Sequence, residues 1–134
     1  MRLVVDTGVF SATLNRRRQP TFDEPVRRLQ GHQIFLAAVT VAELRYGAII
    51  AAWGAPRRRR IETAIGEATV VPVTDALITA VAELRAACRQ VGHPLADRIH
   101  ANDLWIAASA VHIAAALVTA DSIFDGAPGL GLAQ

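Results

Sequence analysis

The chain has 134 residues, the length of one domain, 1–134, and enough to bury about two-thirds of its unfolded surface without staples. Cys88 is its lone cysteine, which excludes an internal disulfide framework and suits a reducing, cytoplasmic setting. Net charge is only +2, yet all 14 basic residues are arginine, so chemistry that depends on a lysine amine is excluded.

Residues 2–5, "RLVV", read as a short buried strand, and 7–15, "TGVFSATLN", as a helix that follows at once. Only Arg2 precedes the apolar run, which ends in an acid, so no signal peptide is expected. "FDEPVRRLQ" places Asp23 and Glu24 ahead of Pro25, a helix start whose charges suit the dipole. "QIFLAAV" is the second strand candidate. "TVAELRYGAIIAAW" reads as a helix opened by Thr40 with Glu43 three residues on, ended by Gly54 and Pro56. "PRRRRIETAIGEA" is another helix, and "TVVPV" a third strand whose Pro72 argues for an edge position.

A long helix is expected from Asp75 to Val91, with Leu77, Ile78, Val81, Leu84 and Cys88 near helical period, stopped by Gly92 and Pro94. "ANDLWIAASAVHIAA" is a further helix and "ALVTAD" the fourth strand. The turn-rich "GAPGLGLAQ" can add a last short edge strand. The apolar run from Leu104 to Val118 is shorter than the roughly 18 residues of a membrane span and contains His112. Strands separated by helices, and apolar on both faces, predict an α/β sandwich around a parallel sheet.

Asp6-Thr7-Gly8 is the tripeptide with which pepsin-type proteases pair two carboxylates, but such folds are almost wholly strand and turn. The Ala-rich helical segments oppose that reading. Asp6 is better placed as a strand-to-helix corner, with Gly8 letting the backbone turn.

Four acids share a position type: Asp6 ends strand one, Glu43 lies just after strand two, Asp103 opens a helix, and Asp121 ends strand four. Singly, each has an ordinary explanation as a cap, a capping-box partner, a dipole charge or a turn former. Together they matter more, because open parallel sheets bind ligands at the carboxyl ends of their strands. Two such acids about 5 Å apart repel by roughly 3 kcal/mol at an effective dielectric of about 20, more than a capping bond of about 1 kcal/mol offsets. A divalent cation does offset it, and oxygen donors alone select Mg²⁺ or Mn²⁺ over zinc.

Asp23, Asp75 and Asp125 read as helix-start or turn acids, and Asp97 precedes the helix of Asp103 in an irregular segment. His32, His93, His100 and His112 show no metal-ligand spacing. Arg16, Arg17 and Arg18 follow the helix that begins at the site and are candidates for holding phosphates. Arg57 to Arg60 form a second run that suits RNA, solvent or a partner.

The pieces "LVVDTGVF", "VTVAELRYG", "NDLWIAASAV" and "LVTADSIFD", in this order and covering nearly the whole chain, resemble a PIN domain, and more narrowly a VapC toxin of a bacterial type II toxin–antitoxin pair. The resemblance implies a PIN-like three-layer sandwich with a parallel sheet of four or five strands, a homodimer, and metal-dependent RNA cleavage. It implies that Asp6, Glu43, Asp103 and Asp121 are the acidic quartet, with Asp6 and Asp103 as direct metal ligands. Thr7 and Thr119 fall where the family often has a hydroxyl beside the site. It implies a VapB-type antitoxin that lies across a groove, for which the helix carrying Leu44, Tyr46, Ile49, Ile50 and Trp53 offers apolar surface. Core packing is the other use for that stripe.

Three rivals follow. A receiver or phosphoryl-transfer domain also clusters acids at strand ends but normally needs a lysine, and this chain has none. A catalytically silent PIN-like binding module and an RNA-processing PIN nuclease without an antitoxin differ from the toxin in activity and in gene neighbourhood.

Overall fold

The computed structural model describes residues 1–134. Its strands β1 (Arg2–Val5), β2 (Gln33–Leu36), β3 (Thr69–Val70) and β4 (Ala116–Val118) form one sheet in the order β3-β2-β1-β4. Every neighbouring pair is parallel. Such pairs need crossover connections, and the helices supply them: α1 (Thr7–Thr13), α2 (Asp23–Arg27), α3 (Ala38–Ile50), α4 (Ala55–Glu67), α5 (Asp75–Val91) and α6 (Ala101–His112).

Side chains alternate across a strand, and here the alternation feeds two cores. Leu3, Val5, Leu36 and Val118 pack with Val9, Phe10, Val41, Leu44 and Ile61 of α1, α3 and α4. Val4 and Leu117 point the other way, to Val81, Leu84, Leu104, Ala107 and Phe124. The layers are therefore α1 to α4, the sheet, and α5 with α6. In register, Val4 stands opposite Phe35 on one side and Leu117 on the other. The carboxyl ends of β1 and β4 consequently emerge side by side, one followed by Asp6 and the other by Thr119, Ala120 and Asp121.

The expected elements are all present, with shifted ends. β2 stops at Leu36 rather than Val39, because Ala37 takes the extended cap conformation and α3 starts at Ala38. Thr40 therefore lies inside α3 instead of opening it, no side chain caps this helix, and the proposed capping box with Glu43 does not form. β4 ends at Val118, and Thr119 to Asp121 leave the sheet. α1 ends at Thr13 and α6 at His112, where Ala114 with φ 54° halts the helix. β3 is an edge strand as expected, but it ends at Val70, so Pro72 lies beyond it.

α5 keeps its expected bounds: Thr74 caps the Leu77 N–H, and Gly92 closes the helix at φ 72°, a conformation that glycine adopts without strain. The C-terminal segment adds a single parallel bridge, Leu117 to Leu132. There the Leu117 N–H donates to Gly131 O at 2.8 Å and the Ala133 N–H donates to Leu117 O at 2.9 Å. No helix is long and apolar enough to cross a membrane.

Candidate active site

Asp6 carries on from β1, and its N–H donates to Val118 O at 3.1 Å. Its backbone is extended, and Oδ1 accepts the Val9 N–H at 2.8 Å, so it does cap α1. The cap is not its whole role. Oδ2 accepts a hydrogen bond from the Thr119 hydroxyl, and the residue is 7% exposed, one of only three buried polar side chains. Burial pushes its carboxyl above the ordinary range, the Thr119 and Val9 bonds pull it back, and the charges of Asp121 and Asp103 push it up again. The corner is made at Asp6 and not at Gly8, which is an ordinary helical residue. A Cβ at Gly8 would meet Phe22 and the Asp6 carboxylate at 3.6 to 3.8 Å, normal contact distances.

Thr119 bridges two of the acids. Besides donating to Asp6, its Oγ1 accepts the Asp121 N–H at 3.0 Å. Asp121 in turn caps the short 3₁₀ turn Ser122–Phe124, its Oδ1 accepting the Ile123 N–H at 3.0 Å. Glu43 is held from another direction: Thr7 Oγ1 lies 2.9 Å from Glu43 Oε1 and 3.1 Å from Thr40 Oγ1. A hydroxyl has one proton to give, so Thr7 serves the carboxylate and Thr40, fully buried, gives its own to Thr7.

Asp103 lies in the first turn of α6, where a negative charge suits the helix dipole. Its carboxyl is raised by burial and then by Asp121, against the opposing pull of His100, whose Nδ1 is 3.7 Å from Oδ2.

All four acids line one cleft of about 580 Å³, together with Thr7, Gly8, Thr21, Phe22, Ile106 and Ser122. No three His, Cys, Asp or Glu side chains gather closely enough to enclose an ion by themselves. The donor set, all oxygen, fits a divalent ion that keeps much of its water and takes one or two carboxylates directly. Two carboxyls raised by burial and by the charge of Asp121 beside both are the electrostatic complement of a cation.

The remaining acids are elsewhere. Asp23 pairs with Arg18 at 3.1 Å, Asp75 lies in the first turn of α5, Asp125 is exposed beyond the 3₁₀ turn, and Asp97 borders a groove between α5 and the start of α6. Of the histidines, only His100 touches the quartet. Sequence reasoning missed Thr21, Phe22, Ser122, His100 and Thr40. Ser122 had a signal in its adjacency to Asp121; the others arrive through packing.

A second groove, about 520 Å³, opens beside the cleft and shares Thr7 and Glu43 with it. Arg16 and Arg18 line it, with Trp53, Arg57 and Arg60. Arg17 lines neither; its N–H donates to Asn15 Oδ1 at 3.0 Å. On α3, Leu44 is core, whereas Tyr46, Ile49 and Ile50 are 63 to 68% exposed, so core packing accounts for only part of that stripe.

Residues 3–130 match the PIN domain family. The chain is 34% identical over 128 residues to Ribonuclease VapC5 of Mycobacterium tuberculosis, covering 94% of this chain and 87% of that protein. Among solved structures, the VapBC-5 toxin–antitoxin system of the same organism superposes with a TM-score of 0.68 at 31% identity, over 99% of this chain and 98% of that one. VapBC2 from Rickettsia felis, bound to a promoter DNA fragment, gives a TM-score of 0.79 at 22% identity over 99% and 98%, a likeness of fold. Likeness that runs through every strand of the sheet and nearly the full length of the chain makes this protein a member of the PIN domain family, among the VapC proteins.

Proposed function

We propose that the protein is the toxin of a type II toxin–antitoxin pair: a metal-dependent endoribonuclease that hydrolyses phosphodiester bonds in cellular RNA and is neutralised by a cognate VapB-type antitoxin. The observation that carries this reading is the meeting of Asp6, Glu43, Asp103 and Asp121, from four separate segments, in one cleft. Family membership implies a divalent metal, and the all-oxygen donor set favours Mg²⁺, with Mn²⁺ as a substitute.

Asp6 and Asp103 would hold the ion. When bound, it supplies Lewis acidity toward a phosphodiester oxygen and a lowered pKa for an attacking water. The Val9 N–H and the Thr119 hydroxyl fix both oxygens of Asp6 and keep the carboxylate from rotating. Thr7, backed by buried Thr40, holds one oxygen of Glu43, Oε1. Glu43 and Asp121 would order the waters around the ion and accept their protons. Support from second contacts of this kind is commonly worth 10- to 100-fold, in order of magnitude, in metal affinity or activity.

The exposed Tyr46, Ile49 and Ile50 on α3 support an apolar docking surface for the antitoxin. We also assign the protein a homodimeric state and a cytoplasmic location. The test is cleavage of total cellular RNA with Mg²⁺ or Mn²⁺, comparing wild type with Asp6→Asn and Asp103→Asn. Both variants should keep the fold and lose cleavage; undiminished cleavage by either one refutes the assignment of that residue.

A further inference from the structure

The two arginine runs, far apart in sequence, reach the same groove. Arg16 follows α1, while Arg57 and Arg60 stand in the opening turns of α4, and all three line the space that joins the acid cleft at Thr7 and Glu43. None of the three is among the ion-paired arginines, which are Arg18, Arg28 and Arg45. α4 has no acid in its first turn and no side-chain cap at Gly54. Positive charges are thus stacked at the positive end of a helix dipole, an arrangement that is unfavourable until an anion arrives. The Arg57 guanidinium lies 3.6 Å from the centroid of the half-buried Trp53 ring, a pairing that orders both groups before any ligand binds.

We infer that this groove carries the single-stranded RNA that flanks the cleavage point, with Arg16, Arg57 and Arg60 taking backbone phosphates and Trp53, braced by Arg57, stacking a base. The inference rests on the nuclease reading and extends it from the scissile bond to the path of the strand. A groove of about 520 Å³ is of small-ligand size, with room for about one or two unpaired nucleotides and not for a duplex. Base stacking on an aromatic ring beside a cationic track is how proteins hold single strands without reading sequence. Charge order favours RNA over a protein tail. A segment offering a basic side chain to the carboxylates would have to cross the arginines, whereas a phosphate chain meets cations in the groove and a metal-loaded cleft beyond it.

The test is fluorescence anisotropy of a fluorescein-labelled single-stranded RNA in EDTA at rising KCl, alongside cleavage of the same RNA in Mg²⁺ and Mn²⁺. Wild type is compared with Arg57→Ala/Arg60→Ala, with Trp53→Leu, and with Arg89→Ala on the far side of the sheet. Each phosphate contact on a single strand contributes about 0.7 to the slope of log affinity against log salt, so the double variant should flatten it by about 1.4. Trp53→Leu should weaken binding about fivefold or more at unchanged slope, and Arg89→Ala should change neither. Circular dichroism checks the fold, and Arg57→Gln/Arg60→Gln reads the same slope if the alanine pair misfolds.

A wild-type slope in the double variant, with wild type binding and cleaving RNA, overturns the groove assignment and leaves the nuclease reading intact. Loss of affinity for a co-expressed antitoxin with the RNA slope retained overturns it in favour of protein docking. A wild type that neither binds nor cleaves RNA with either metal removes both readings together.

Discussion

The acid cleft and the arginine groove share Thr7 and Glu43, yet they are charged by opposite constructions. In the cleft, the backbone dictates the charge: β1 and β4 end side by side, so Asp6 and Asp121 are delivered to one point and Asp6 is buried there. In the groove, the charge sits on exposed arginines, of which Arg57 lies against Trp53 while Arg16 and Arg60 can spread when nothing is bound. The first construction stores like-charge repulsion in the folded state, and the second stores little. Removing a cleft charge should therefore abolish function and steady the fold, whereas removing a groove charge should weaken RNA binding and leave the fold as it was.

The largest expected effect is at Asp6. Asp6→Asn should lower RNA cleavage by at least about 100-fold and, in metal-free protein, raise the thermal midpoint, because an amide keeps the cap to Val9 without the buried charge. A fall in the midpoint would show that the carboxylate is not strained and would break the contrast. Next is Thr119→Val, which strips the hydrogen bond from Asp6 Oδ2 and the acceptor from the Asp121 N–H. Cleavage should fall by about 10- to 100-fold, and stability by about 1 kcal/mol, both readable from initial rates and urea midpoints.

A pH series sharpens the comparison without mutation. Asp6 and Asp103 have folded values above their ordinary 3.8, so between that value and the raised ones the folded state binds more protons than the unfolded chain. Stability of the metal-free protein then falls as pH rises through this window and recovers on acidification. Glu24 and Glu62, held low by Arg28 and Arg45, act in the opposite sense, their contribution being lost as pH falls below about 4.5. Urea midpoints in EDTA should accordingly rise as the pH is lowered from neutral through the raised values of Asp6 and Asp103, and Asp6→Asn should flatten that rise.

Much of the cleft was legible because topology does the placing. Short apolar runs between helices imply a parallel sheet, and a parallel sheet puts strand-final residues such as Asp6 and Asp121 at one edge. Glu43 and Asp103 were legible as acids near helix starts, but what holds them was not. Thr40 reads as a helix cap, and only the early end of β2 turns it into the buried support of Thr7. That end was hard to see because Ala37, Ala38 and Val39 suit a buried strand and a helix equally. Thr21 and Phe22 reach the cleft from a loop that has no local pattern pointing there. The meeting of Arg16 with Arg57 and Arg60 depends on how α4 packs over α1 and α3, information that no window of sequence contains.

The smallest expected effect completes the contrast. Arg57→Ala/Arg60→Ala removes a cation–π contact worth about 0.5 to 1 kcal/mol at an exposed site. It also removes one positive charge, Arg57, from the first turn of α4, where it is unfavourable by about 0.3 to 1 kcal/mol. These terms oppose one another, and alanine is the better helix former, so the net change in stability should stay within about 0.5 kcal/mol of zero. Chemical denaturation at low ionic strength measures it. If the double variant is clearly destabilised, the arginines are holding the fold together, and the groove is then part of the scaffold in the way the cleft is not.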